Sequence, residues 1–187
     1  MTFRYLFKLC LIGNTNSGKS TLCQSLCFNK YVENIPVTIG CEFYSIILED
    51  VKLQLFDTGG LEQYKTLHKC IENVDGYIMV LDSSSRDLTN TVSKWLNNIP
   101  KNIPVFIICT KADTIHQLTV FPRAFYSTIT AHPNVKFLLK TTAKDSEHVT
   151  IVFHSIITYL LSVNTPLTPS KNTRSKIDIT LKGVNSL

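Results

Sequence analysis

Apolar positions gather in six short runs set apart by longer amphipathic stretches. Tyr5 to Ile12, Glu42 to Leu48, Val51 to Asp57, Gly76 to Asp82, Val105 to Thr110 and Val135 to Thr141 are strand-sized and partly β-branched, which predicts six β-strands. Glu49-Asp50 predicts a tight hairpin between the second and third. Gly18 to Phe28, Glu62 to Asn73, Leu88 to Asn98, Val120 to Thr130 and Ser146 to Leu161 predict helices, with Asp87 and Asp145 as caps near two of the starts. The last stretch is rich in Ile and Val, and its length decides for helix.

Strands alternating with helices predict an α/β fold: a six-stranded, mostly parallel sheet with one antiparallel edge strand and about five helices on both faces. Ligands on such sheets bind outside the carboxyl ends of the strands. After about Val163 the pattern stops, and TPLTPSKNTRSK reads as a flexible tail. The expected organisation is one domain over 1–163 and a mildly basic tail over 164–187.

Composition narrows the class. The chain has 187 residues, 44% of them hydrophobic and 18% charged, a globular balance that excludes collagenous and wholly disordered chains. No apolar run approaches the ~18 residues of a membrane span, and MTFRYLFKLCLIG lacks a cleavage pattern and reads as a strand. The net charge is +5. From Asn164 onward four bases (Lys171, Arg174, Lys176, Lys182) face one acid (Asp178), a solvated tail rather than a nucleic-acid site. Six cysteines lie at 10, 23, 27, 41, 70 and 109 without a C-x-x-C pair. Buried free thiols in a reducing cytoplasm are expected, not disulfides or zinc.

Chemistry enters at Gly13-Asn14-Thr15-Asn16-Ser17-Gly18-Lys19-Ser20, which fits G-x-x-x-x-G-K-[ST] between a predicted strand and a predicted helix. Its glycines let backbone N–H groups face a polyphosphate, and the helix N-terminus adds partial positive charge. Lys19 is expected at the β- and γ-phosphates and Ser20 on Mg²⁺. This P-loop indicates a nucleoside triphosphate without saying which base.

The base is indicated by Thr110-Lys111-Ala112-Asp113 at a strand end. An ionised Asp only accepts hydrogen bonds, and Asp113 can accept from guanine N1–H and the N2 amino group together. Adenine offers neither, and sites that read a polar edge discriminate by roughly 10⁴ to 10⁵. Thr142-Ala143-Lys144, after the last strand, supplies a backbone N–H for the guanine carbonyl.

In this order the motifs make the chain resemble the Ras-like small GTPases over about residues 4 to 163: GNTNSGKS, Thr38, the DTGG of Asp57 to Gly60, TKAD and TAK. Thr38-Ile39-Gly40-Cys41-Glu42-Phe43 and Lys52-Leu53-Gln54-Leu55-Phe56 are most similar to the Rab branch. The resemblance implies a P-loop small G-domain that binds GTP or GDP with Mg²⁺, hydrolyses GTP, and acts as a switch in vesicle trafficking. It implies nucleotide contacts from Gly13, Asn16, Ser17, Gly18, Lys19, Ser20, Thr21, Tyr31, Thr38, Gly60, Thr110, Lys111, Asp113, Thr142, Ala143 and Lys144. The metal would be held by Ser20, Thr38 and Asp57, and Lys19, Thr38 and Gly60 would serve the hydrolytic step. Tyr31 would stack on the guanine edge, and Lys111 would lie along the base. Residues about 31–43 and 58–72 would be two switches, ordered by the γ-phosphate and read by effectors. An exchange factor and a GTPase activator are implied as partners.

Departures from the family pattern set further expectations. Leu61 stands where most members place a water-orienting Gln. Leucine has no donor or acceptor, so slow intrinsic turnover is expected unless an activator supplies the missing group. Thr15, where Rabs often carry Ser, is expected to crowd the γ-phosphate. The last cysteine is Cys109, and Thr2 follows the initiating Met, so neither prenylation nor myristoylation is expected. A monomeric cytoplasmic protein without its own lipid anchor, recruited to membranes through partners, is the resulting picture. Ile71-Glu72 and Ile35 replace aromatics common on Rab switches, which sets this chain's effectors apart. A GTP-binding interaction module with little hydrolysis is the alternative, and a P-loop ATPase or kinase is disfavoured by TKAD with TAK.

Overall fold

The computed structural model describes residues 3–60, 73–114 and 121–164. Six strands form one sheet: β1 (Tyr5–Ile12), β2 (Cys41–Leu48), β3 (Val51–Thr58), β4 (Gly76–Asp82), β5 (Val105–Thr110) and β6 (Val135–Lys140). Their order is β2-β3-β1-β4-β5-β6. β2 and β3 are antiparallel, and every other neighbouring pair is parallel. Leu48 pairs with Val51, so Glu49-Asp50 is the two-residue hairpin, and Glu49 takes the left-handed φ of 56° that the turn needs.

Among the described residues there are four α-helices: α1 (Lys19–Phe28), α2 (Leu88–Leu96), α3 (Arg123–Thr130) and α4 (Ser146–Asn164). The predicted helix over 62–73 lies outside the described residues but for its last position. α3 starts three residues later than the pattern predicts, because Pro122 biases Phe121 away from helical backbone; Pro122 is extended at φ −55°, ψ 144°. Asp145 caps α4 as expected, its carboxylate accepting from the His148 N–H at 2.9 Å. Asp87 precedes α2, but its carboxylate accepts from the Asn90 side chain at 2.6 Å instead.

Each face of the sheet carries a core. On one, Leu9, Leu11, Leu53, Leu55, Ile78 and Phe106 pack against Leu22 and Leu26 of α1 and Phe153 and Ile156 of α4. On the other, Ile12, Met79, Ile107 and Cys109 pack against Val92, Trp95 and Leu96 of α2 and Phe125 of α3. β5 is buried at every position, as expected of an inner parallel strand covered on both faces. β2 is one of the two edge strands and stays largely open. That corrects one expectation: Cys10, Cys23 and Cys109 are buried thiols, but Cys41 at the start of β2 is exposed.

Candidate functional site

The carboxyl ends of β1, β3, β4 and β5, the turn after β6 and the segment between α1 and β2 converge on one edge of the sheet. β1 runs out at Ile12 directly into the P-loop. Gly13 has φ 140°, and a Cβ there would overlap the Val80 carbonyl oxygen, so the loop can lie against β4 only with glycine at this place. Ser17 N–H donates to the Asn14 carbonyl at 3.2 Å, and Leu22 N–H to the Gly18 carbonyl at 2.9 Å, which carries the loop into α1.

Lys19 folds back beneath the loop. Its Nζ donates to the Gly13 carbonyl at 3.1 Å and the Asn14 carbonyl at 3.0 Å. An ammonium has three protons; the third is what can meet a phosphate oxygen. Burial pushes the Lys19 ammonium below its ordinary value, and Asp57 opposes that shift. Gly18, Lys19, Ser20 and Thr21 form one wall of a cleft whose other wall is Ile35 to Thr38 with Gly59; Thr15 and Asn16 complete it.

Three oxygen-bearing side chains from three segments meet here: Ser20 and Thr38, which line the cleft, and the fully buried Asp57. Ser20 Oγ lies 2.9 Å from Thr38 Oγ1 and donates to Asp57 Oδ2 at 2.5 Å; Thr38 Oγ1 is 3.5 Å from the same oxygen. Asp57 Oδ1 is buried without a hydrogen-bond partner. Burial raises the Asp57 carboxyl above its ordinary value, against the lowering effects of the Ser20 hydroxyl and Lys19. Two hydroxyls and a carboxylate are hard oxygen donors. Neighbouring ligands of an octahedral Mg²⁺ at 2.0–2.1 Å stand about 3 Å apart, a spacing the Ser20–Thr38 pair already has. The donor set and the orphaned Oδ1 therefore fit Mg²⁺.

The residues expected to read the base gather around the end of β5. Thr110 Oγ1 donates to the Ser17 carbonyl at 2.6 Å and lies 3.0 Å from the Leu81 carbonyl, tying β5 to the P-loop. Lys111, at a left-handed φ of 55°, places Nζ 2.9 Å from the Asn16 carbonyl and 2.7 Å from Asp82 Oδ2. Asp113 sits in a 3₁₀ turn (Ala112–Thr114), its Oδ2 2.8 Å from Lys144 Nζ. The Lys144 and Thr142 hydrogen bonds hold the Asp113 carboxyl below the usual carboxylate range. Lys144 Nζ also stands 5.7 Å from the Tyr31 ring centre, so Tyr31, Asp113 and Lys144 border one surface. Ala143 is buried beside them.

Thus the P-loop residues, Thr38, Asp57, Gly60, Tyr31 and the two base-reading motifs are all brought to one edge. Leu61 and the second switch beyond Gly60 lie outside the described residues. Two contributors escaped the motif reading. Asp82 anchors Lys111, and burial, which would raise its carboxyl, is outweighed by hydrogen bonds from Lys111 and Ser84; an acid at the end of a strand neighbouring β5 was the available signal. Asn14 accepts from Trp95 Nε1 at 3.2 Å, a link between α2 and the P-loop with no local sequence signal.

A family model described as "Ras family" matches residues 8–162. "GTP-binding protein ypt1" of Schizosaccharomyces pombe (strain 972 / ATCC 24843) is 31% identical over 163 residues, covering 81% of this chain and 78% of that protein. "Ras-related protein RIC1" of Oryza sativa subsp. japonica is 31% identical over 160 residues, with coverage of 81% and 78%. "Ras-related protein Rab-4A" of Bos taurus is 30% identical over 163 residues, with coverage of 81% and 73%.

Proposed function

The chain belongs to the Ras family of small GTPases, on its Rab-like side, and from that premise we propose that it binds GTP and GDP with Mg²⁺ and works as a slowly hydrolysing switch in vesicle trafficking. The observation that carries the reading is the convergence of Ser20, Thr38 and the buried Asp57 on one another, beside the cleft that Lys19, Ser20 and Thr38 line, with Asp113 and Lys144 at the neighbouring strand ends. Ser20, Thr38 and Asp57 would hold the cation, which would neutralise charge on the β- and γ-phosphates. Lys19 and the P-loop N–H groups bind and orient the phosphates, with Gly13, Asn16, Ser17, Gly18 and Thr21 shaping the cradle. Thr38 and the Gly60 N–H take the γ-phosphate side. Thr110 and Lys111 fix the base-reading turn against the P-loop. Asp113 reads the guanine edge, the Thr142-Ala143-Lys144 backbone its carbonyl, and Tyr31 covers the base.

Hydrolysis of the γ-phosphoanhydride depends on positioning water and stabilising charge. Lys19, Thr38 and Gly60 serve the charge; Leu61 cannot hydrogen-bond water. Effectors would read residues about 31–43 and 58–72, where Val37, Ile39 and Phe43 are exposed apolar side chains. An exchange factor and an activator would set the cycle of a monomer that reaches membranes through partners. A module that binds GTP and hardly hydrolyses it is the second reading, favoured by Leu61 alone.

Single-turnover hydrolysis of pre-bound GTP in Mg²⁺, for the wild type and Leu61→Gln, tests this. Restoring a water-positioning group is expected to speed turnover about 10²-fold, the scale of a positioning defect. Equal and readily measured hydrolysis by both would overturn the slow-turnover element, whereas two inert proteins would favour the binding module.

A further inference from the structure

Gly59 is buried, and both of its backbone polar groups are used by segments far away in the chain. Its N–H donates to the Gly40 carbonyl at 3.0 Å. Its carbonyl accepts from Thr15 Oγ1 at 3.3 Å. One residue thereby joins the P-loop to the segment that carries Thr38.

Packing makes the same connection. A Cβ at Gly59 would overlap the Thr38 carbonyl oxygen. At Gly60, where φ is 74°, a Cβ would fall 2.6 Å from Thr15 N and 2.8 Å from both the Gly13 carbonyl oxygen and Lys19 Nζ. The Gly59-Gly60 backbone is thus wedged between the first switch and the P-loop, and any side chain would separate them.

We propose that Thr15 and Gly59 form a protein-only clamp that holds the Thr38–Gly40 segment against the P-loop without a γ-phosphate; the proposal rests on the nucleotide-switch reading above. Family switches close because the γ-phosphate supplies contacts to both switch segments. Here a side-chain hydroxyl and a buried glycine supply part of that closure from within the chain. A contact present in both nucleotide states narrows the difference between them. Partners that read residues 37–40 would therefore discriminate less between the GDP and GTP forms than the phosphate contacts alone would allow.

The test is hydrogen–deuterium exchange of the Gly59 amide in GDP- and Mg²⁺-loaded protein, for the wild type, Thr15→Ser and Thr15→Val. GDP is used because it has no γ-phosphate for the Thr15 hydroxyl to bind. The clamp predicts a protected Gly59 amide in the wild type and in T15S, which keeps the hydroxyl. T15V, of nearly the same shape, should exchange about fivefold faster, the equilibrium weight of one net hydrogen bond. Gly59→Ala is a second variant, expected to speed exchange of the backbone amides over residues 38–41 by at least as much. Rapid exchange at Gly59 in GDP-loaded wild type, or equal protection in T15V and T15S, overturns the clamp alone. Protein that cannot be loaded with GDP refutes the nucleotide reading, and the clamp with it.

Discussion

Replacing Asp113 by Asn changes one atom pair at the proposed base-reading position. The Asp113 carboxylate is held in position by Lys144 at 2.8 Å, and its side chain is 29% exposed, so it sits at a rim and not in a sealed pocket. Guanine would present two donors to it, N1–H and the N2 amino group. Hydrogen bonds to a charged acceptor contribute about 1.5–3 kcal/mol each. In Asp113→Asn the amide oxygen can still accept from N1–H, but as a neutral group, and the amide NH₂ then faces the N2 amino group, donor against donor. Weakening one bond and losing the other costs about 3–4 kcal/mol, or roughly 10²- to 10³-fold in affinity for GDP. Xanthine keeps N1–H and carries a carbonyl at C2, to which the same NH₂ can donate, so xanthosine diphosphate should gain what GDP loses. The assay is displacement of a fluorescent GDP from wild type and variant by GDP, xanthosine diphosphate and ADP, with circular dichroism to check the fold. A variant that holds GDP within about threefold of wild type and gains nothing for xanthine would refute the assignment of Asp113 as the base reader.

Ser20→Ala removes one of the three oxygens around the proposed metal position; even indirect ligand supports cost 10- to 100-fold when removed, so the Mg²⁺ concentration needed to slow GDP release should rise at least about tenfold. Ile39→Asp alters a side chain that is 95% exposed, so the unfolding free energy from urea titration should stay within about 0.5 kcal/mol of wild type, whereas Leu55→Ala in the fully buried core should cost about 2–5 kcal/mol. Asp82 is held below its ordinary pKa in the folded chain, burial being outweighed by Lys111 and Ser84. A carboxyl lowered by folding adds stability above its unfolded pKa of about 3.9 and loses it as pH falls through the folded value. Asp82→Asn should therefore be less stable than wild type at pH 7 in urea titrations, with the gap closing below about pH 4.

Most of the fold was legible because strand and helix have different periods. β4 and β5 read as continuous apolar runs and are inner strands buried on both faces. The start of α3 was misplaced because a helical pattern extends across Pro122, whereas the backbone before proline does not follow it. Cys41 looked buried by its apolar neighbours; its exposure follows from β2 lying at the sheet edge, which a run of residues cannot reveal. The site residues were legible wherever they belong to contiguous motifs: P-loop, TKAD and TAK. The pairings were not. Asp82 with Lys111, Trp95 with Asn14 and Thr15 with Gly59 join residues 29, 81 and 44 positions apart, and nothing local in the sequence encodes such a meeting.

The choice of guanine over adenine distinguishes the proposed switch from a P-loop ATPase or kinase. Calorimetric titration of nucleotide-stripped protein in Mg²⁺, first with GDP and then with ATP, measures it. Asp113, fixed between Lys144 and the Thr142 turn, predicts tight GDP binding and ATP weaker by about 10⁴-fold, within the range for sites that read a polar edge. Equal binding of the two nucleotides, or heat from ATP alone, would contradict it.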